Sequence, residues 1–102
     1  MANPTFLRLI EQIAEVHNRK NADYARADNP YSNFEFAGQL AAEFSDPTDR
    51  AFAILIGVKL ARLGQLLGHG KTPQNESIDD TMVDLTTYAA IWTSWRRDRG
   101  TS

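Results

Sequence analysis

The chain has no cysteine among its 102 residues, which excludes disulfide bonds and thiolate metal sites. This absence fits a protein of a reducing cytoplasm. A large net charge of either sign is also missing, because the formal net charge at pH 7 is only −2. A general DNA or RNA binder neutralises phosphates with a basic field. We therefore expect a cytoplasmic protein that does not bind nucleic acid directly.

Long apolar runs are missing as well. No uninterrupted apolar stretch reaches the roughly 20 residues that a membrane-spanning helix needs. The first residues, Met-Ala-Asn-Pro, do not form a basic segment followed by an apolar one, which is the pattern of a secretory signal. We expect neither secretion nor a membrane partner.

The chain has the composition of a globular protein, since 42% of its residues are hydrophobic. Its length leaves room for one domain with one modest core. No alternating strand pattern is visible, whereas apolar residues recur at helical spacing. The sequence thus predicts one all-α domain over 1–102, with helices near 5–19, 32–44, 47–67 and 76–98.

The third predicted helix has the clearest start and an unusual composition. Asp46 offers an N-cap, and Pro47 suits the first helical position. Its apolar residues surround the axis, which is typical of a helix buried in a bundle or in a subunit interface. We expect a four-helix antiparallel bundle completed by homo-oligomerisation, most simply as a dimer.

An acidic row lies on the last predicted helix, where Glu76, Asp80 and Asp84 follow one another at i, i+4 and i+8. Like charges at this spacing oppose helix formation by roughly 0.2–0.5 kcal/mol per pair. Glu76 and Asp80 lie near the first turn, where the helix dipole favours acids. Asp84 lies two turns in and needs a cation. Two interpretations remain open: three oxygen ligands for Mg²⁺, or salt bridges to the third helix.

Two cations interrupt the apolar third helix. Lys59 and Arg62 are spaced i, i+3 and are its only charged residues between 51 and 67. Buried cations are almost always paired. They either bridge to Asp80 and Asp84 or hold the phosphates of a nucleotide. A bridge is favoured for Arg62, and Lys59 is left open.

The end of the first helix and the following loop carry further candidates. Lys20, Asp23 and Tyr24 stand where the helix gives way to a loop, so they can close over a base or a phosphate. Asn33 is a candidate for pairing with a base edge and Phe34 for stacking on it, although an N-cap role for Asn33 is the simpler interpretation. His17, on the apolar side of the first helix, is more simply a satisfied core residue.

These segments together resemble a known group of proteins. Lys20-x-x-Asp23-Tyr24, Asn33-Phe34, the stretch Lys59 to Leu63 and the stretch Glu76 to Tyr88 are similar to small phage and bacterial nucleotide-modification-associated domains. Those domains in turn resemble the MazG-like and dimeric dUTPase group of all-α nucleoside triphosphate pyrophosphohydrolases. The similarity extends over about 17–92 and is most specific in the last helix.

The resemblance implies a helical dimer or larger oligomer that holds a nucleotide and, in the enzymes, Mg²⁺. It leaves two alternatives for the second acid pair of the enzymes: Glu76-x-x-Asp79 stands for it, or Asp80 and Asp84 replace it, and the metal candidates are Glu76, Asp80 and Asp84. The nucleotide would contact residues from several segments: Lys20, Asp23, Tyr24, Asn33, Lys59, Arg62 and Tyr88. The enzymes use an E-x-x-E pair and an E-x-x-D pair. The first pair has no counterpart here, since the third helix carries cations instead.

Three functions follow from these patterns. The first is a phage-type protein of the bacterial cytoplasm that hydrolyses a (d)NTP with Mg²⁺ between its α and β phosphates. The second is a nucleotide-binding protein without turnover, such as a sponge or regulator acting against a host defence signal. The third is a helical interaction protein in which Lys59 and Arg62 only bridge to acids.

Overall fold

The computed structural model describes residues 3–100, which form four α-helices and no strand. The all-α class and the four predicted helices are therefore confirmed. α3 continues into one π-helical turn, Gly64–Gly68. The helices are α1 Pro4–Tyr24, α2 Ser32–Ala41, α3 Pro47–Leu63 and α4 Ile78–Asp98.

Three of the helices begin at a side-chain cap. Asn3 caps α1, where its Oδ1 accepts the backbone N–H two residues further on at 2.9 Å. Asp46 caps α3 in the same way, and Pro47 occupies the first helical position, as the sequence predicts. Ser77 caps α4 by accepting the backbone N–H of Asp80 at 3.0 Å. Each cap satisfies an N–H group that the helix itself cannot pair.

The core is small and centres on α3, which packs against α2 and α4 and against the end of α1. α2 and α3 approach most closely at Ala37 and Gly57, where a Cβ at position 57 would lie 2.9 Å from the Cα of Ala37. Within residues 3–100, four of the six buried apolar residues are alanines, so little apolar volume is enclosed. The buried apolar residues are Ala25, Ala37, Ala41, Ala53, Leu63 and Leu66.

α3 and α4 run in opposite directions. At one end Asp49, near the start of α3, accepts hydrogen bonds from Trp92 Nε1 at 2.7 Å and from Arg96 at 3.1 Å. Phe52 stacks on Trp92 there, with ring centroids 5.7 Å apart. At the other end Lys59 and Arg62 of α3 meet the first turns of α4. This second end positions the candidate site.

α1 packs only through its last turn. Every residue from 3 to 20 is exposed, including Phe6 at 57% and Ile13 at 54%. α3 is also less covered than its composition predicts, because Leu55 is 46% exposed. A single chain therefore leaves much of its apolar surface uncovered.

One helical segment of the described residues, Pro47–Gly68, is long and apolar enough to cross a membrane by length and composition. Core helices of soluble proteins meet the same criteria, so this is weak evidence. Two of the three cations of the segment, Lys59 and Arg62, are paired with carboxylates of other elements, and the third is Arg50. The absence of a membrane partner stays a prediction.

Candidate functional site

Arg62 is the most deeply buried large side chain among residues 3–100, with no exposed surface. Its Nη2 donates to Asp23 Oδ2 at 2.8 Å and to the backbone carbonyl of Glu76. Its Nη1 donates to Thr81 Oγ1 and to the carbonyl of Ser77 at 3.3 Å. The guanidinium thus joins the end of α1 to the start of α4. It lies out of reach of any solvent-borne phosphate in this arrangement.

Asp23 completes this buried pair and also holds the loop before α4. Its carboxylate is fully buried and accepts the backbone N–H groups of Gln74 at 2.7 Å and Asn75 at 2.9 Å. Burial acts to raise the pKa of Asp23, but the hydrogen bonds from Arg62 and the two amides outweigh it, so the pKa is lowered. The carboxylate therefore stays ionised and satisfied.

Lys59 lies one turn before Arg62, whose Nε has no hydrogen-bond partner among residues 3–100, and the ammonium of Lys59 is fully paired. Its ammonium contacts the hydroxyl of Tyr24 at 3.0 Å, Glu76 Oε1 at 3.0 Å and Asp84 Oδ2 at 2.9 Å. Burial acts to lower the pKa of Lys59, but these three hydrogen bonds outweigh it, so the pKa is raised. An ammonium has three N–H donors, and three acceptors surround this one. We call Lys59, Arg62 and their partners the two-cation cluster.

The three acids of the last helix do not meet at one point. Glu76 precedes α4, and its side chain is 25% exposed; Asp84 lies two turns into the helix and is 41% exposed. Asp80 is exposed and does not contact Lys59 or Arg62. In residues 3–100 no three acids or histidines are grouped so that they could hold a metal ion. The Lys59 ammonium stands between Glu76 and Asp84, where a cation would bind, so these residues do not fit Mg²⁺ in this arrangement.

A cavity of about 300 Å³ brings together several residues that the sequence singles out. Lys20 and Tyr24 come from α1, and Asn33 and Phe34 come from α2. We call it the small cavity; its lining is His17, Lys20, Asn21, Tyr24, Asn33, Phe34 and Val58. Residues from the end of one helix and the start of the next thus line one open cavity.

Asn33 is the unusual member of this lining. It lies inside the first turn of α2 and does not cap that helix, because Tyr31 holds the N-cap position. The simpler interpretation of Asn33 as an N-cap is therefore wrong. The residue is only 4% exposed, and its Oδ1 has no hydrogen-bond partner among residues 3–100. A buried amide oxygen without a donor costs about 1–3 kcal/mol, which calls for an explanation.

A second cavity of about 490 Å³ shares Tyr24 and Asn33 with the small cavity. Its wall is more polar and includes Arg26, Gln65 and His69. Asn33 is therefore a lining residue of both cavities.

Some functional residues were not expected from the sequence. Thr81 is fully buried, and its hydroxyl links Arg62 to Glu76. Nothing in its local pattern distinguishes it from an ordinary helical threonine. Asp23 was expected at a ligand, whereas it is the buried partner of Arg62. Tyr88 is half-buried on α4, one turn beyond Asp84, and does not line either cavity.

No protein-family model, curated protein or solved structure matches the chain. The resemblance to nucleotide-modification-associated and MazG-like proteins therefore stays a prediction, together with the Mg²⁺ and the nucleotide that it implies. The case for a function depends on the geometry alone.

Proposed function

We propose that the protein binds a nucleotide in the small cavity and does not hydrolyse it. The observation that carries the proposal is the buried, unpartnered Oδ1 of Asn33, a residue that lines that cavity. Natural proteins satisfy nearly all buried polar groups, so an exception calls for an explanation, and a ligand that supplies the partner is the one we propose here. A half-turn of the amide about χ2 exchanges its oxygen and nitrogen, so it can present either group to the cavity.

The other residues of the cavity suit the remaining parts of a nucleotide. Tyr24 and Phe34 offer aromatic surfaces on which a base can stack. Phe34 is 62% exposed, although it is a large apolar residue. Lys20 supplies an ammonium for phosphate. An amide such as that of Asn33 pairs with a base edge that has one donor and one acceptor. The volume of about 300 Å³ lies at the lower end of ligand cavities, which favours a monophosphate over a triphosphate.

Binding without hydrolysis is favoured because the charged groups expected to act on phosphate are already engaged. Arg62 is fully buried against Asp23, and Lys59 is held by Tyr24, Glu76 and Asp84. Phosphoryl transfer needs groups that are positioned to stabilise the charge that develops on the phosphate. Freeing either cation for that purpose would leave a buried or half-buried carboxylate without its partner.

The proposal includes a homo-oligomer. Six buried apolar residues, four of them alanine, form a small core for a chain of this length. Small domains are marginal even with a well-filled core. The antiparallel bundle expected from the sequence would then be completed by helices of more than one chain.

The test is thermal unfolding of the full chain with nucleoside monophosphates and triphosphates of each base, with and without Mg²⁺. A ligand that binds only the folded state raises Tm in proportion to the logarithm of its concentration. We expect a rise with at least one monophosphate, independent of Mg²⁺, and no pyrophosphate release from any triphosphate. Pyrophosphate release would show the hydrolase of the sequence-based hypothesis instead.

The informative variant is Asn33→Leu. It removes a buried amide that has no partner, so the free protein keeps its stability or gains some. The response to nucleotide is lost. Asn18→Leu is the matched control, since Asn18 is exposed on α1 and lies outside the small cavity. If Asn33→Leu kept the full response, or if no nucleotide raised Tm, the proposal would be wrong.

A helical interaction protein is the second candidate, favoured by the internal pairing of the two-cation cluster. Lys59 and Arg62 fasten α1, α3, α4 and the loop before α4 to one another. A cluster that only stabilises the fold needs no ligand. Under this alternative no nucleotide changes Tm, while substitutions on exposed apolar surfaces alter the association of the chain with a partner.

A further inference from the structure

The exposed part of α1 carries an apolar stripe that the described part of the chain, residues 3–100, leaves exposed. Phe6, Leu9, Ile10, Ile13 and Val16 recur at the i, i+3, i+4 and i+7 spacing of one helix face. They are between 39% and 57% exposed. From 3 to 20 no residue of α1 is covered by the rest of the protein. We call this face the α1 stripe.

We propose that the α1 stripe pairs with the α1 stripe of a second copy of this chain, in antiparallel orientation. This inference rests on the oligomer included in the proposed function but not on its ligand. The measurements below report only association, so they fail or succeed independently of nucleotide binding.

The sequence of the stripe has the symmetry that such a pair needs. A twofold axis that passes beside Glu11 relates the two helices. It brings Phe6 opposite Val16 of the second copy and Leu9 opposite its Ile13. The same two contacts recur on the other side of the twofold axis, which gives four consecutive apolar layers. Alternating a and d positions of this kind pack as knobs into holes. A two-residue shift in either direction would break these layers.

The position of α1 on the protein favours the antiparallel arrangement. The helix joins the rest of the protein only through its last turn, near Asp23. Two antiparallel helices place the two globular parts at opposite ends, so they do not collide. Parallel helices would force both parts to the same end, beside each other.

The area and the charges favour a second copy over a lipid surface. The stripe exposes about 500 Å² of apolar surface per chain, or roughly 1,000 Å² for a pair, which reaches the size of a specific interface. The opposite face carries Arg8, Glu11, Glu15 and Arg19, two cations and two carboxylates. Helices that lie on membranes carry mainly lysine and arginine there, and the carboxylates would be repelled by anionic lipid.

The first experiment compares two aspartate variants by sedimentation velocity of the full chain over a range of concentrations. The unaltered chain is expected to sediment as a species of twice the 11.4 kDa mass of one chain. Ile13→Asp places a carboxylate in the stripe of both copies, and we expect its dissociation constant to rise at least about 100-fold. Asn18→Asp adds the same charge on the opposite face and leaves it unchanged. Because Ile13 is exposed in the single chain, the variant still folds, which circular dichroism verifies.

The second experiment tests the orientation by cross-linking, which the absence of native cysteine makes unambiguous. In the antiparallel pair the double variant Phe6→Cys with Val16→Cys forms disulfide-linked dimers under mild oxidation. Val16→Cys alone does not, because the two sulfurs would be about 15 Å apart along the axis.

Each alternative outcome overturns the proposal. A chain that stays monomeric at every concentration excludes the pair, and an Ile13→Asp variant that associates as well as Asn18→Asp places the interface elsewhere. Efficient cross-linking of Val16→Cys alone shows a parallel pair. Binding to anionic phosphatidylserine vesicles by a monomeric chain, abolished by Ile13→Asp, assigns the stripe to a membrane surface.

Discussion

The substitution Asp23→Asn tests whether the buried pair with Arg62 holds the fold together. Both side chains are fully buried, so loss of the negative charge strands a guanidinium away from water. Breaking a buried ion pair by removing one partner costs about 3–5 kcal/mol. The new amide also turns N–H groups toward the guanidinium or toward the amides of Gln74 and Asn75, which are donors too. We therefore expect a loss in that range or slightly above it.

The magnitude is large relative to the whole stability of a domain, which is about 5–15 kcal/mol. In urea unfolding followed by circular dichroism, the midpoint is expected to fall by roughly 1–3 M with an unchanged slope. In thermal unfolding, Tm falls by at least about 12 °C. A loss of less than about 1 kcal/mol would refute the reasoning, because an exposed pair costs that little.

A double-mutant cycle separates the pair from its surroundings. Arg62→Met removes the cation and leaves Asp23 with its two backbone donors, so it should cost less than Asp23→Asn. The combined variant is expected to be more stable than Asp23→Asn alone, because no buried charge is then stranded. If the two losses simply added, the side chains would not be coupled.

The pH dependence gives an independent measure of the same pair. Because the pKa of Asp23 is lowered by folding from 3.8, its contribution to stability is complete above that value and is lost as the pH falls through the folded pKa. Asp23→Asn lacks this contribution, so its stability should fall less steeply below pH 3.8 than that of the unaltered chain. Urea midpoints measured across the acid range provide the comparison.

The remaining predictions concern α3. Gly57→Ala should destabilise the protein by about 1–3 kcal/mol in the same urea assay, because its new Cβ lies 2.9 Å from the Cα of Ala37. Gly64→Ala should instead stabilise the protein by about 0.4–1 kcal/mol, because a Cβ there meets open space and the φ of −58° is already helical. Equal effects would exclude a close approach at Gly57. The raised pKa of Lys59 adds stability that is complete below 10.5 and is lost as the pH rises through the folded pKa. Lys59→Met should therefore lose less stability than the unaltered chain as the pH rises above 10.5, as measured by urea unfolding. An unchanged pH profile would show that Lys59 is not held as described.

The helices were largely predictable because their signals are local. The Asp46-Pro47 start and the Ser77 cap depend on residues within three positions, and the structure has both. α2 ends at Ala41 rather than near 44, and α1 extends to Tyr24 rather than 19. The extra turn of α1 is held by tertiary contacts of Asp23, which no local pattern reveals.

The burial of α3 and the partners of its cations were harder to predict. Apolar residues all around the axis of α3 were expected to mean burial, yet Ile54 and Leu55 are nearly half exposed. Lys59 does pair with Asp84, but the shortest ion pair of Arg62 is with Asp23 at 2.8 Å, and its contact with the acidic row is to Glu76 at 3.9 Å. The sequence presents several acids at suitable distances along the chain, and only the fold selects among them.

Of the features of the small cavity, the residues that line it were partly predictable and the missing partner of Asn33 was not. Lys20, Tyr24, Asn33 and Phe34 were singled out separately, and the structure gathers them at one cavity. Residue type and position near helix ends were sufficient for that. The missing partner of Asn33 was not predictable, because hydrogen bonding depends on neighbours that only the folded chain brings together.

The central claim is that the amide of Asn33 recognises a nucleotide in the small cavity. Isothermal titration calorimetry of the full chain with adenosine, cytidine, guanosine and uridine monophosphates tests it most directly. At least one of them should bind the unaltered chain with one site per chain. Its affinity for Asn33→Leu should be at least about tenfold lower, and its affinity for Asn18→Leu should be unchanged. Absence of binding by all four, or equal affinity in Asn33→Leu, would contradict the claim.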